Sequence, residues 1–465
     1  MNKILVVIFV AFSVQTYAQE RVVLEKPTVD RRTELLSIVF RFAGRPEYSS
    51  KDFKLYYENI ERHFEKFKNH ELIQFTKSIM GKNFLQYNAP MSMAINLDDE
   101  FNLLTDVRGV WQYTGWTQED AKKFVLLLQQ FAKDTEFDKF FNDNADLYAE
   151  SIRRYIPVYE RVDINWYRTF FGKEINETLS IIICLGNGSA NYADALYFSN
   201  GSRIVYVLMG ASESDSIGFP EFNVREVLPV LLHEFIHEFA PQLFGNTKDH
   251  PLRKSGEKLF SVVKDEMTLN AYTTWTSMFN EAIVEASVIK YMKDNRFEQS
   301  EIEKRIKLNK IKGCLWIEEF VDELESYDRQ RNQYPTLDSY MPRLIEAHKI
   351  WADNIQSMAD KRPKVISIDE FENGSQNVNS DIKTITINFN MPLSGNGHSV
   401  YPFMRGMDAF PYISESKYAN NNQSVVLEVS LEKGKEYQFI LVGENYTSVD
   451  GDVMKMYEVN FKTEK

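Results

Sequence analysis

Across 465 residues, 54 Lys and Arg stand against 67 Asp and Glu. The resulting net charge of −13, with no basic run long enough to follow a phosphate backbone, argues against nucleic acid as a partner. A chain that is 43% hydrophobic and 14% aromatic buries sizeable cores, which excludes disorder as its default state, and the length suits roughly two or three domains. No run approaches the roughly 18 apolar residues of a membrane-crossing helix, so no integral membrane segment is expected.

At the N-terminus, Lys3, an apolar stretch from Ile4 to Val14, and the small-x-small site Thr16-Tyr17-Ala18 before Gln19 read as a signal peptide over residues 1–18. No cysteine follows that stretch to carry a lipid, and the tail Phe461-Lys462-Thr463-Glu464-Lys465 has no apolar anchor, so the expected location is periplasmic or secreted. From Glu34 to about Phe171 the pattern is helical. Leu35, Leu36, Val39, Phe40 and Phe42 recur at three- and four-residue spacing, as do Tyr56, Tyr57, Ile60, Phe64 and Phe67. Thr117 followed by Asp120 predicts an N-cap opening a helix through Phe124, Leu128 and Phe131, and a further helical pattern runs from Phe137 to Tyr159.

The period then shortens. Leu179–Leu185 and Arg203–Met209, rich in Ile and Val and punctuated by Gly186-Asn187-Gly188 and Asn200-Gly201, predict strands. Ile204–Met209 is a candidate to wall a cleft by pairing an extended peptide along a sheet edge, although a fully buried strand reads the same way. Cys184 in the first strand and Cys314 beside Leu315 and Trp316 either pair, as export permits, or remain buried thiols. Neither has the CxxC spacing of a structural zinc site.

Downstream, His233-Glu234-Phe235-Ile236-His237 is an HExxH motif. On a helix it sets two imidazoles one turn apart on one face, which is half of a zinc site, and leaves Glu234 beside the metal as a general base. A catalytic zinc needs a third protein ligand and an open position for water. The metzincin spacing requires a histidine at position 243, where this chain has Leu243. His250 is near but lies in a polar, turn-like stretch. Glu281 is the better candidate, within Asn280-Glu281-Ala282-Ile283-Val284-Glu285-Ala286, on a helical run from about Trp275 to Met292 that is otherwise largely apolar. Glu281 and Glu285 lie four apart and point the same way, and two such carboxylates on a buried helix are costly unless cations answer them. Zinc would answer Glu281, while Glu285 is placed to accept the N–H of a ligating histidine. The alternative puts both carboxylates on a solvated side of the helix.

Beyond Lys361-Arg362-Pro363 the helical periodicity ends. Alternating runs at Lys383–Phe389, Ser424–Leu431 and Glu436–Val442, separated by turn clusters such as Asn373-Gly374, Ser394-Gly395-Asn396-Gly397 and Asp450-Gly451, predict an all-β domain of the size and pattern of an immunoglobulin-like sandwich. His398, alone on a glycine-rich loop, carries no chemistry.

HExxH followed by NExxxE on a second helix is similar to the gluzincin class of zinc metallopeptidases, whose third ligand is the Glu of the NE pair. Four segments together resemble the domain-of-unknown-function 4932 family over roughly residues 25 to 355: Asp30–Tyr48, Leu231–Leu243 (LLHEFIHEFAPQL), NEAIVEA, and Tyr334–Leu344 (YPTLDSYMPRL). The closing Phe461-Lys462-Thr463 resembles the FxT ending of bacterial Ig-like domains. These resemblances imply an α+β protein: a mostly helical, zincin-like catalytic domain with a small sheet, over residues 19–361, and an all-β Ig-like sandwich over 362–465. Within the first, a helical part is expected over 19–175 and the sheet with the metal-binding helices over 176–361. They imply one zinc per chain on His233, His237 and Glu281, with Glu234 as base, and a basic residue at the position where Glu285 stands.

The expected function is that of an exported zinc metallopeptidase acting on a protein or peptide. Tyr334, Tyr340 and His348 are the candidates for stabilising the oxyanion across the cleft, and the Ig-like domain is a candidate to contact substrate or the cell surface. A zinc hydrolase of another amide or peptide-like bond, and a non-enzymatic binding protein with a structural metal, are the competing readings. Residue types at the metal do not separate the first two. Against the third stands Glu234, which a structural site does not need.

Overall fold

The computed structural model describes residues 23–82, 85–108, 114–173, 177–243, 245 and 247–465; the expected signal peptide lies outside them. They form an α+β fold that separates into two units. One runs to Ile164 and resumes over Glu174–Asn223, and the other comprises Asn165–Lys173 and Val224–Lys465.

The first unit holds α1 (Arg31–Phe42), α2 (Lys54–Phe64), α3 (Glu71–Lys82), α4 (Ala89–Ile95), α5 (Gln118–Asp134), α6 (Phe137–Asp143) and α7 (Ala145–Tyr159). α1 begins where the Asp30 carboxylate accepts the Arg32 N–H at 2.7 Å, and it buries Leu35, Leu36, Ile38, Val39 and Phe40. α5 begins at Thr117, whose hydroxyl accepts the Asp120 N–H at 3.1 Å. The helical pattern from Phe137 to Tyr159 is broken at Asn144: its side-chain amide donates to the Phe140 carbonyl at 2.8 Å, competing with the helical ladder.

Five strands of this unit, β1 (Val23–Leu24), β2 (Val107–Arg108), β3 (Thr178–Cys184), β4 (Tyr192–Phe198) and β5 (Arg203–Gly210), form one sheet in the order β1-β3-β5-β4-β2. β1, β3 and β5 run parallel, and β4 is antiparallel to β5 and β2. β5 is therefore paired on both sides. The strand singled out as a cleft wall has no free edge for a peptide; it is the interior strand that a fully buried apolar run also predicts. Glu34, 0% exposed, ties α1 to the exit of β3 by accepting the Leu185 N–H at 2.9 Å. A Cβ at Gly186 would sit 2.1 Å from Ser37 Oγ, so glycine is what allows the chain past α1 here. Burial raises the Glu34 pKa to about 8, against the opposing pull of Tyr56 and of the Leu185 hydrogen bond.

The second unit contains α8 (Ile164–Phe171, from Asn165 onward), α9 (Val224–His237), α10 (Arg253–Leu269), α11 (Trp275–Asp294), α12 (Gln299–Ile311), α13 (Ile317–Arg329) and α14 (Leu337–Asp360). α11 is its spine: every residue from Glu281 to Met292 is buried, and α9, α10, α12 and α13 pack around it. Cys184 in the first unit and Cys314 in the second are both buried and unpaired.

Helix gives way to strand after Asp360. β6 (Val365–Ile368), β7 (Thr384–Phe389), β8 (Val400–Tyr401), β9 (Tyr412–Ala419), β10 (Ser424–Ser430), β11 (Glu436–Leu441) and β12 (Tyr457–Lys462) form two antiparallel sheets, β6-β7-β10-β9 and β12-β11-β8. Ile385, Ile387, Val425 and Leu427 from one sheet share a core with Tyr437, Phe439, Val459 and Phe461 from the other, with burial alternating along β7 and β12. Thr463 ends the domain by accepting the Lys435 N–H at 2.9 Å and donating to the Glu432 carbonyl at 2.6 Å. This strand-rich region belongs to the same unit as α9–α14, and the buried Arg362 shows why: its guanidinium bridges Glu266 Oε1 on α10 at 2.7 Å and the Val453 carbonyl at 2.9 Å.

Candidate metal centre

Leu228, Leu231, Leu232, Phe235 and Ile236 bury one side of α9, which leaves His233, Glu234 and His237 together on the other. α11 enters through a capping box in which Thr274 Oγ1 accepts the Ser277 N–H and Ser277 Oγ accepts the Thr274 N–H. Asn280 then grips the chain leaving α9: its Oδ1 accepts the Leu243 N–H at 2.8 Å and its Nδ2 donates to the Leu243 carbonyl at 3.1 Å. One residue later, Glu281 faces the two histidines.

The two Nε2 atoms lie 3.1 Å apart, and the Glu281 oxygens lie 3.7 Å from His233 Nε2 and 3.8 Å from His237 Nε2. Among the described residues these three form the group able to hold a metal ion. Tetrahedral zinc with ligands at about 2.0–2.1 Å separates neighbouring donors by roughly 3.3 Å, so the observed spacings fit with small adjustments. Glu281 is only 8% exposed, and its buried Oε1 lacks a hydrogen-bond partner, as expected of a donor atom facing a cation position.

Behind His233 stands Glu285, 1% exposed, with Oε1 3.1 Å from the imidazole Nδ1. The separation is that of a hydrogen bond, with the ring and the carboxylate imperfectly aligned. Glu285 is itself held by a fork from Arg305, with Nε on Oε2 and Nη2 on Oε1, each at 2.7 Å, and by Asn309 Nδ2 on Oε2 at 2.8 Å. Lys312 Nζ lies 4.0 Å away.

Electrostatics follow from this packing. Burial alone would raise the Glu285 pKa, but Arg305, His233 and Lys312 hold it well below the usual carboxylate range. Burial would lower the His233 pKa, yet the carboxylates of Glu281, Glu285 and Glu234 bring it up to about 9. His237, buried and beside His233, is driven down to about 4. Burial, then Glu281 and Glu285, raise the Glu234 pKa against the opposing pull of His233.

A family model described as a domain of unknown function, DUF4932, matches residues 23–347. The chain belongs to the DUF4932 family. Its metal-capable cluster lies inside the DUF4932 segment, whereas the C-terminal strands lie beyond it. No curated protein matches the chain. Solved structures similar to it include the N-terminal part of the bacterial S-layer protein SbsC (16% identity, 46% of this chain, 55% of that one, TM-score 0.18). The S-layer protein rSbsC(31-844) is another (12% identity, 74% and 41%, TM-score 0.18). The chain spans about half the length of these structures, and likeness at that score supports no argument about fold or function.

In this DUF4932 member, the residues proposed from sequence as oxyanion donors have other partners. Tyr340 is buried and donates to Glu323 at 2.9 Å; Tyr334 packs edge-on against it and accepts from Gln333. His348 is buried on α14, with Nδ1 2.8 Å from Ser255 Oγ and its ring against Phe279 and Trp351. His250 uses Nδ1 to accept the Leu252 N–H. The tyrosine that does interact with the charges of the cluster is Tyr272. It is delivered by the turn after α10, where Ala271 takes φ +67° and the Tyr272 N–H returns to the Met267 carbonyl at 2.9 Å. Burial, then Glu281, Glu285 and Glu234, push its pKa far up, so the phenol remains a proton donor across the neutral range. Nothing in the local sequence marks Tyr272 among 24 tyrosines.

Proposed function

We propose that this DUF4932 protein is an exported, zinc-dependent metallopeptidase of gluzincin type, built on a zincin-like catalytic domain with an Ig-like C-terminal domain. The observation that carries the reading is the convergence of His233 Nε2, His237 Nε2 and the Glu281 carboxylate, with Glu234 beside them on the same face of α9. Export rests on the sequence from Lys3 to Ala18.

His233, His237 and Glu281 would hold one zinc, which when bound supplies Lewis acidity and acidifies water. Glu234 accepts the proton of the attacking water and returns it to the leaving amine of the peptide. The Tyr272 hydroxyl donates to the carbonyl oxygen as charge develops there. Glu285, immobilised by Arg305 and Asn309, fixes the ring orientation and tautomer of His233. The substrate class on this reading is protein or peptide, and the Ig-like domain would contact substrate or a cell surface.

Metal analysis of the purified protein and cleavage of a mixed peptide library test this. Zinc near one equivalent per chain, retained in Glu234→Gln while cleavage falls by about 10²-fold or more, is the expected result. A protein without metal, or a variant that cleaves at the wild-type rate, refutes it.

A further inference from the structure

We infer that the C-terminal β domain holds the metal centre together, acting through α12 on the carboxylate behind His233; the inference rests on the metal-binding reading above. α12 supplies both side chains that fix Glu285, Arg305 and Asn309. Yet of its 13 residues only Ile302 and Asn309 are buried. A helix of that length is marginal by itself, and its apolar anchoring is one buried isoleucine with the half-buried Ile306, Leu308 and Ile311. Its placement therefore draws on the polar contacts at its ends as well as on its packing against α11 and α13.

At the N-terminal half these are exposed ion pairs, Arg225–Glu301 at 3.3 Å and Lys304–Glu226 at 3.7 Å, of a kind that stabilises little. At the C-terminal half the β domain is seated on the helix. Lys307 Nζ donates to the Glu444 carbonyl at 2.7 Å, and Gly443 lies beside Ile311, where an added Cβ would be in van der Waals contact with Ile311 Cγ1 at 3.5 Å. The same loop region is anchored on its other side to α10. Arg362 and Glu266 are 5% and 4% exposed and joined at 2.7 Å, Arg362 Nε donates to the Val453 carbonyl, and Lys455 Nζ meets Asp265 at 2.7 Å. α10 and α12 both pack on α11, which carries Glu281 and Glu285. The β domain thus ties together the two helices that flank the ligand-bearing one. The family match ends at residue 347, so this support comes from sequence beyond it.

Coupling of this kind is reciprocal: if docking of the β domain favours the geometry that binds zinc, zinc must tighten the docking by the same factor. Hydrogen exchange on the full-length protein, with and without zinc, reads it directly. Zinc is expected to slow exchange in α9 and α11, and also in residues 299–311 and 443–455, by about fivefold or more. The paired substitution Glu266→Gln with Arg362→Gln removes the buried ion pair without stranding either charge. It should weaken zinc binding by a similar factor, and the single variant Lys307→Met should do so to a lesser degree. Protection of α9 and α11 by zinc with exchange unchanged over 443–455 overturns the inference while leaving the metal site standing. Absence of bound zinc in the wild-type protein overturns both.

Discussion

Replacing Arg305 with methionine isolates the most buried carboxylate of the candidate centre. Glu285 would keep Asn309 and His233 but lose both prongs of the guanidinium fork, at a site where its side chain is 1% exposed. Removing one partner of a buried ion pair costs about 3–5 kcal/mol, and the two surviving partners put this case at the low end, about 3 kcal/mol. The same change frees the Glu285 carboxylate to turn from the His233 Nδ1, which should weaken zinc binding by about 10- to 100-fold. The double variant Arg305→Met with Glu285→Gln separates the two effects. With the carboxylate and its guanidinium partner both neutralised, its stability should return to within about 1 kcal/mol of wild type. Zinc affinity should remain low, because a neutral amide orients the imidazole less firmly. Urea unfolding of the metal-free proteins gives the stabilities, and competition against a chromogenic chelator gives the affinities. If the single variant is no less stable than the double, Glu285 is not desolvated as the packing indicates and the account of the centre fails.

Tyr272→Phe should leave zinc content and unfolding unchanged and lower kcat by about 10²- to 10³-fold; a near-normal kcat would remove the hydroxyl from the mechanism. Asn280→Ala loses the two hydrogen bonds to Leu243 and should cost about 1–3 kcal/mol in thermal unfolding. Asn280→Asp keeps the acceptor half and should cost less, an ordering whose reversal would argue against the clamp. In the first unit, the folded-state pKa of Glu34 is raised to about 8 from an ordinary value near 4.5, so the native protein binds the extra proton between those limits. Stability should therefore be full below about pH 4.5 and fall by about 1.4 kcal/mol per pH unit up to about pH 8. Denaturation at pH 5.5 and 7.5 should show a smaller drop in Glu34→Gln than in wild type, and equal drops would place the titration elsewhere.

The readable parts of the fold were those in which one segment determines its own structure. Thr117 with Asp120 marked the start of α5, and Trp275–Met292 lies within the buried α11. β4 was not anticipated, because Tyr-Ala-Asp-Ala-Leu-Tyr-Phe has weak strand character with Asp194 inside it, and its conformation is set by pairing with β5. The break at Asn144 was equally hidden: an apolar period continues across it, and the interruption is the side chain's hydrogen bond to the Phe140 carbonyl. The order β1-β3-β5-β4-β2 depends on which strands meet in space, and it moved β5 from a possible edge to the interior.

At the site, three helices contribute one pair each at the same four-residue spacing: His233 and His237 from α9, Glu281 and Glu285 from α11, Arg305 and Asn309 from α12. The first two pairs were legible, the histidines as a motif and the glutamates as a charge problem on an apolar helix. The third pair was legible only as a deficit. A carboxylate buried at position 285 requires a cation, and the following helix and its exit offer Lys304, Arg305, Lys307, Lys310 and Lys312 as sources. Choosing among them takes the rotation of α12 about its axis, which a sparsely buried, mostly polar helix does not encode in its periodicity. Chemistry nevertheless distinguishes one. A lysine presents a point charge, whereas arginine can engage both oxygens of a carboxylate at once, and only Arg305 has a side-chain amide one turn further along the same face to take the remaining lone pair.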